Sequence, residues 1–257
     1  VSARQAEAEH LRTALQDDRF VLYGQPILDL RVSEGRQYEV LLRLRDDEGG
    51  ELLTPSAFLY VAVRFGLIQA IDGWVTCQAI ELIAENERAG RPLVLHVNLS
   101  GKSIGDPRVA ALIESALTAA GIDPSRLIFE LTETAAMANI EEAKAFAHRL
   151  RARGCRLALD DFGAGLGSFY YLKSLPFDYL KIDGDLIRGL AASRMDQLVV
   201  EAIVGIARGM GKKTVAEFVS DDETVRLLDK AGVDYAQGYH VGRPRPLRDL
   251  LACSLLS

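Results

Sequence analysis

The chain has little of what staples, ligates or spans. Its three cysteines, Cys77, Cys155 and Cys253, are isolated and odd in number. They exclude a disulfide framework and read as buried thiols in a reducing compartment. None of the four histidines has a second histidine at ligand spacing, so a His- or Cys-based zinc site is not expected. No apolar run reaches the roughly 18 residues of a membrane helix. The first residues show no signal-peptide pattern. There is no internal repeat and no low-complexity stretch. Positive charge is also short: the net charge is −6, which excludes a basic face for a nucleic-acid polymer. It leaves open a small nucleotide whose phosphates meet bound cations. Together these features predict a cytoplasmic domain with no membrane segment.

Enough apolar material is present for one large core, with 49% hydrophobic residues in 257. The opening stretch, VSARQAEAEHLRTALQDD, reads as an amphipathic helix with Leu11 and Leu15 in register. Residues 1–18 are taken as an N-terminal helix or linker and 19–257 as the domain. Val1 is not an initiator methionine, so the chain is expected to be a piece of something longer.

Eight short apolar runs punctuate the sequence: Phe20–Ile27, Gln37–Leu44, Leu93–Leu99, Leu127–Leu131, Arg156–Leu159, Tyr179–Ile182, Lys213–Ala216 and Tyr235–Tyr239. From the second run onward, the gaps carry helical periodicity: Ser56–Ala89, Pro107–Ala120, Glu141–Arg153, Gln197–Met210 and Asp222–Ala231. Strands alternating with helices imply a parallel sheet, and eight strands match the count of a closed (β/α)8, TIM-like barrel. Thr54 and Pro55 should open a helix as N-cap and first residue. Arg45–Glu51 reads as a solvated turn. The aromatic run Phe169–Leu172 reads as a packed short helix in preference to a base-stacking platform.

The run ends carry the chemistry. They supply Glu39, Asn98, Glu130, the adjacent Asp160 and Asp161, Lys181 with Asp183, Glu217, and Gln237. In a barrel such ends converge on one mouth. Carboxylates at that density repel, and cations relieve them. Hard oxygen donors favour Mg²⁺ or Mn²⁺ over zinc. Period-2 alternation puts Glu39, Leu41 and Arg43 on one face. Arg43 would then hold a phosphate beside the metal or close an ion pair inside the acid cluster. Lys181 would neutralise the acids or orient a water. His96 shares parity with Asn98; a barrel-core role is preferred over a ligand.

With those residues in place, the chain resembles EAL domains, the bacterial cyclic-di-GMP phosphodiesterases. The likeness runs from Phe20 to Pro246 through GQPILDL, YEVLLR, TPSAF, VNLS, FELTET, ALDDFGAG, LKID, AEFV and AQGYHVGRP, in the family's order. It implies a barrel whose first strand is antiparallel to the rest, and about two Mg²⁺ or Mn²⁺ ions. It implies Glu39, Asn98, Glu130, Asp160, Asp161 and Glu217 as metal ligands, and Lys181, Glu217 and Glu39 as catalytic groups. Gln25, Leu41, Arg43, Asp183 and Gln237 become substrate contacts, and Glu133 the acid that fixes the loop after Asp161. It also implies a homodimer, and a sensor or GGDEF domain flanking this one in the full-length protein.

Three departures from the family pattern stand out. Val40 occupies the alanine position of the signature and should only alter packing. Phe218 and Ser220 replace a glycine and a second glutamate after Glu217. Ala164, Leu166 and Gly167 alter the loop after Asp161. The function implied is hydrolysis of cyclic-di-GMP to linear 5′-pGpG. The alternative is a weak or inactive EAL domain acting as a cyclic-di-GMP receptor. A Mg²⁺-dependent sugar-phosphate enzyme is disfavoured, because no Gly-rich phosphate loop follows the last two strands.

Overall fold

The computed structural model describes residues 3–32, 35–46, 52–163 and 171–253. Ala164, Leu166, Gly167 and Phe169, and residues 47–51 of the expected turn, lie outside the described residues.

Eight strands close the barrel: β1 (Phe20–Asp29), β2 (Gln37–Arg45), β3 (Val94–Asn98), β4 (Leu127–Thr132), β5 (Arg156–Phe162), β6 (Tyr179–Ile182), β7 (Lys213–Ala216) and β8 (Tyr235–Gln237). β2 to β8 pair in sequence order and in parallel. β1 closes the ring by pairing antiparallel with both β2 and β8. β1 and β2 have no helix between them, so a hairpin returns the chain, and a hairpin can only be antiparallel. Two short pieces, Leu52–Leu53 and Arg245–Pro246, extend the edges of β2 and β1.

The helices follow in chain order: α1 (Ala3–Gln16), α2 (Pro55–Arg64), α3 (Ile68–Arg88), α4 (Gly101–Ile104), α5 (Pro107–Ala120), α6 (Glu133–Ala138), α7 (Ile140–Ala152), α8 (Gly184–Arg188), α9 (Arg194–Gly209), α10 (Asp222–Ala231) and α11 (Leu247–Cys253). The single helix expected over Ser56–Ala89 is two. Gly66, at φ 69°, supplies the left-handed residue that ends α2, and the Leu67 N–H reaches back to the Ala62 carbonyl at 2.8 Å. That is a helix-ending pattern which a sequence period does not register. Pro55 opens α2 as expected, but the Thr54 side chain makes no capping bond and its hydroxyl pairs with Ser56. α1 puts Ala8, Leu11 and Ala14 into the same core as Phe20 and the barrel helices.

Strand parity sorts the barrel into layers. Outward residues such as Val40, Leu95, Phe129 and Leu180 meet the helices. Inside, a small separate cluster of Ile27, Ile128, Ala158, Tyr179 and Val215 plugs the lower barrel. Two residues further along β4 to β7, the same inward face presents Glu130, Asp160, Lys181 and Glu217. An apolar layer thus sits directly beneath a charged one. Among the described residues, no helix is long and apolar enough to cross a membrane. Cys77 and Cys155 are free, and burial pushes the Cys155 thiol up to about 12.

Candidate active site at the barrel mouth

Lys181 is the centre of the site. It is fully buried on β6. Its ammonium lies 2.7 Å from Glu130, 2.8 Å from Glu217, 3.2 Å from Asp160 and 3.4 Å from Glu39. Each acid comes from a different strand or strand end, so only barrel closure assembles the set. Burial alone would strip the proton from the ammonium. The surrounding carboxylates, Asp160 and Glu130 foremost, outweigh it and hold the Lys181 pKa well above its ordinary value.

Glu39 is gripped at both oxygens. Asn98 donates to Oε1 at 2.7 Å, and Gln237 donates to Oε2 at 2.6 Å. Burial opposes its ionisation, but Lys181 and these two amides prevail and lower its pKa. Gln237 also donates to Gln25 at 3.3 Å, and Gln25 donates to the Gly242 carbonyl at 3.2 Å. Glu130 contacts His96 Nδ1 at 2.6 Å, and the other ring nitrogen contacts the Gln37 amide at 2.6 Å. With the amide NH₂ toward the ring, His96 keeps its proton on Nδ1 and donates it to Glu130. Burial first, then Lys181, depresses His96 to about 3, so the ring is neutral. It is a core histidine that orients an acid.

Asp160 and Asp161 are consecutive, and in a regular strand they would face opposite ways. The sequence suggested a strand ending before them, but β5 runs on through both. The β5–β6 register shifts between Leu159 and Phe162, and Asp161 adopts φ 56°. This bulge turns both carboxylates to the mouth. Asp160, Asp161 and Glu217 each offer an oxygen within 4.8 Å of the others. Burial raises the Asp161 pKa, with Asp160 and Asp183 adding to it. Burial also pushes Glu130 well up, and Glu217 to about 8.

These groups fit divalent cations. The donors are hard oxygens; Gln237 Oε1 is buried with no hydrogen-bond partner, and Asp160 Oδ1 has no hydrogen bond beside its ion pair with Lys181. Cations would offset both the burial and the mutual repulsion that now raise the Glu130, Asp161 and Glu217 pKa values.

Above the acids opens a cavity of about 560 Å³. Gln25, Glu39, Leu41 and Arg43 form one part of its lining, and Asp160, Asp161, Glu217 and Gln237 another. Arg43 does not close an ion pair inside the acid cluster. It lies 5.3 Å from the Tyr23 ring centre and donates to the Leu42 carbonyl at 2.7 Å. Asp183 is not in the lining; it caps α8 by accepting from the Asp185 N–H at 2.9 Å. Glu133 is buried and accepts the Gly163 N–H, next to the acid pair. A hollow of about 540 Å³ elsewhere is lined by Lys102, Asp106, Arg108 and Glu142. Its Asp106 is already paired with Arg108, and no buried polar set converges there.

Sequence reasoning passed over Arg188 and Tyr239, which also line the main cavity, and Gln37, which supports His96. Arg188 stands one helical turn after Gly184, a spacing that points at whatever packs on that glycine.

The comparisons agree with this architecture. The sequence profile described as "EAL domain" matches residues 8–244. The cyclic di-GMP phosphodiesterase PdeB of Shewanella oneidensis is 38% identical over 93% of this chain. The cyclic di-GMP phosphodiesterase PdeF of Escherichia coli is 37% identical over 96% of it. The chain spans only 28% and 32% of those two proteins' lengths. The crystal structure of the Xanthomonas citri FimX EAL domain in complex with c-diGMP superposes with a TM-score of 0.90. It is 33% identical, covering 95% of each chain. With the profile spanning nearly all of the sequence and the barrel shared in three dimensions, the chain belongs to the EAL domain family.

Proposed function

We propose that this domain is a metal-dependent phosphodiesterase that hydrolyses cyclic-di-GMP to linear 5′-pGpG. The observation that carries the reading is the convergence of five carboxylates and one buried lysine beneath a nucleotide-sized cavity. Relatives named as cyclic di-GMP phosphodiesterases support it.

In this reading Glu39, Asn98, Glu130, Asp160, Asp161 and Glu217 hold two Mg²⁺ or Mn²⁺ ions. Bound there, the ions supply charge neutralisation at the phosphoryl oxygens and lower the pKa of water. The protein's own groups do the rest. Glu217, kept ionised by the neighbouring cations and by Lys181 at 2.8 Å, would receive the proton of the attacking water. Lys181 fixes the acids and faces the water with a permanent positive charge. Glu39 is locked by Asn98 and Gln237, so it costs no reorganisation during the reaction. Arg43, Leu41, Gln25 and Gln237 orient the diester. Asp183 acts on Asp161 through its charge. Glu133 holds the backbone after the acid pair through Gly163.

Glu39→Ala should abolish turnover of cyclic-di-GMP in a Mg²⁺ assay, and an undiminished rate would sink the assignment. The family resemblance further leads us to expect a homodimer, cytoplasmic placement, and a sensor or GGDEF neighbour in the full-length protein. Light scattering that shows only monomer would overturn the first of these.

A further inference from the structure

Phe218 sits where a side chain is disfavoured. Its φ of 55° is in the left-handed region, and its surface is 54% exposed. A strained and exposed ring does nothing for the core, and glycine would serve the backbone better. Yet its neighbours are built to receive it. A Cβ on Gly184 would come within 2.1 Å of the ring, so that position is open only because it is glycine. Arg188, one turn along α8, places its guanidinium 4.0 Å from the ring centre and pairs with Asp185. Phe218 and Arg188 both line the cavity above the acids, and Phe218 directly follows Glu217. Tyr239, 62% exposed and 4.5 Å from Arg243, lines the same cavity.

We propose that Phe218, propped by Gly184 and Arg188, is a stacking shelf for one purine base of the substrate, and that it sets affinity and not the rate of the chemical step. The proposal rests on the phosphodiester reading above. The ring is one residue from Glu217, so it lies within a nucleoside's reach of a phosphate held at the acids. Every base offers a π-face, and an arginine against the ring adds polarisation. Strain retained at an exposed position is what a binding role, and not a folding role, would preserve.

The test is Michaelis kinetics with cyclic-di-GMP and Mg²⁺ on the wild type, Phe218→Gly and Phe218→Tyr, with thermal unfolding of each. Phe218→Gly should raise KM by roughly tenfold or more, the scale of one lost base stack. Its kcat should change little and its Tm should hold or rise. Phe218→Tyr should keep the wild-type KM. An unchanged KM in Phe218→Gly overturns the shelf. So does a joint fall in kcat and Tm, which marks a structural role. If the wild type shows no turnover, the phosphodiesterase reading has failed separately, and equilibrium binding of cyclic-di-GMP to the same proteins decides the shelf. Binding weakened in Phe218→Gly supports it; equal or absent binding in both overturns it.

Discussion

Lys181 carries a full charge with no surface in water, and four carboxylates share it. Removing one partner from such a set leaves uncompensated buried charge, which costs roughly 3–5 kcal/mol. Lys181→Met in chelator should therefore lower stability to urea by about that amount near pH 8. The loss should shrink near pH 5, where the acids can take up protons; a loss independent of pH would contradict the ion-pair account. Glu217 sets a second pH effect. Its carboxyl titrates at about 8 in the folded protein against an ordinary 4.5. The folded state holds an extra proton between those values, so this contribution is complete below about 4.5 and gone above about 8. Asp161 and Glu130 push the same way; the lowered Glu39 acts oppositely in acid, and the lowered His96 acts oppositely below its ordinary value of 6.5. Without divalent cations, the urea midpoint should fall as pH rises from about 6.5, where His96 no longer offsets it, to about 8. Added Mg²⁺ should restore more stability at the higher pH, because its ligands are then deprotonated. A flat profile, or a larger Mg²⁺ effect in acid, would contradict this.

At the scale of elements, the strand ends and the loops beyond them decide where each acid points. The bulge in β5 brings Asp161 beside Asp160. The loops after β7 and β8 lock onto each other: Val219 N–H donates to the Gln237 carbonyl at 3.0 Å, and His240 N–H to the Val219 carbonyl at 3.1 Å. Gly238 lies between them, and a Cβ there would come 2.2 Å from Val219 backbone atoms. Backbone cannot yield as a side-chain tip can. Gly238→Ala should cost about 1–3 kcal/mol of stability, the usual penalty for overpacking. It should also reduce turnover, since the displaced loop carries Glu217. Wild-type urea stability and rate in that variant would show that the close approach is unimportant.

The same scale explains what could be read in advance. The apolar runs of β6 and β7 coincide with the expected bounds, as do α5 and α10. Their periodicity and caps are local properties of the chain. The break at Gly66, the bulge at Asp161 and the left-handed Phe218 were not legible. Each is imposed by what packs around it, and no period in the sequence encodes it. His96 was correctly weighed as a core residue, but its hold on Glu130 needed the β3–β4 register.

For the whole molecule, closure is the decisive event. Glu39 and Lys181 lie 142 positions apart, and Glu39 and Gln237 lie 198 apart. Both contacts depend on β1 sealing the ring between β2 and β8. The inner apolar cluster supports the charged layer from below, and the helices bury the outer faces of the strands. The result is an acidic bowl with the buried Lys181 charge at its base and Arg43 and Arg188 in its lining, suited to cations and a phosphodiester. The most direct test of that account is chromatographic product analysis of the purified protein with cyclic-di-GMP in Mg²⁺, in Mn²⁺ and in EDTA. The account predicts linear 5′-pGpG with either ion and none in EDTA. Equal product in EDTA, or intact cyclic-di-GMP under all three conditions, would contradict it.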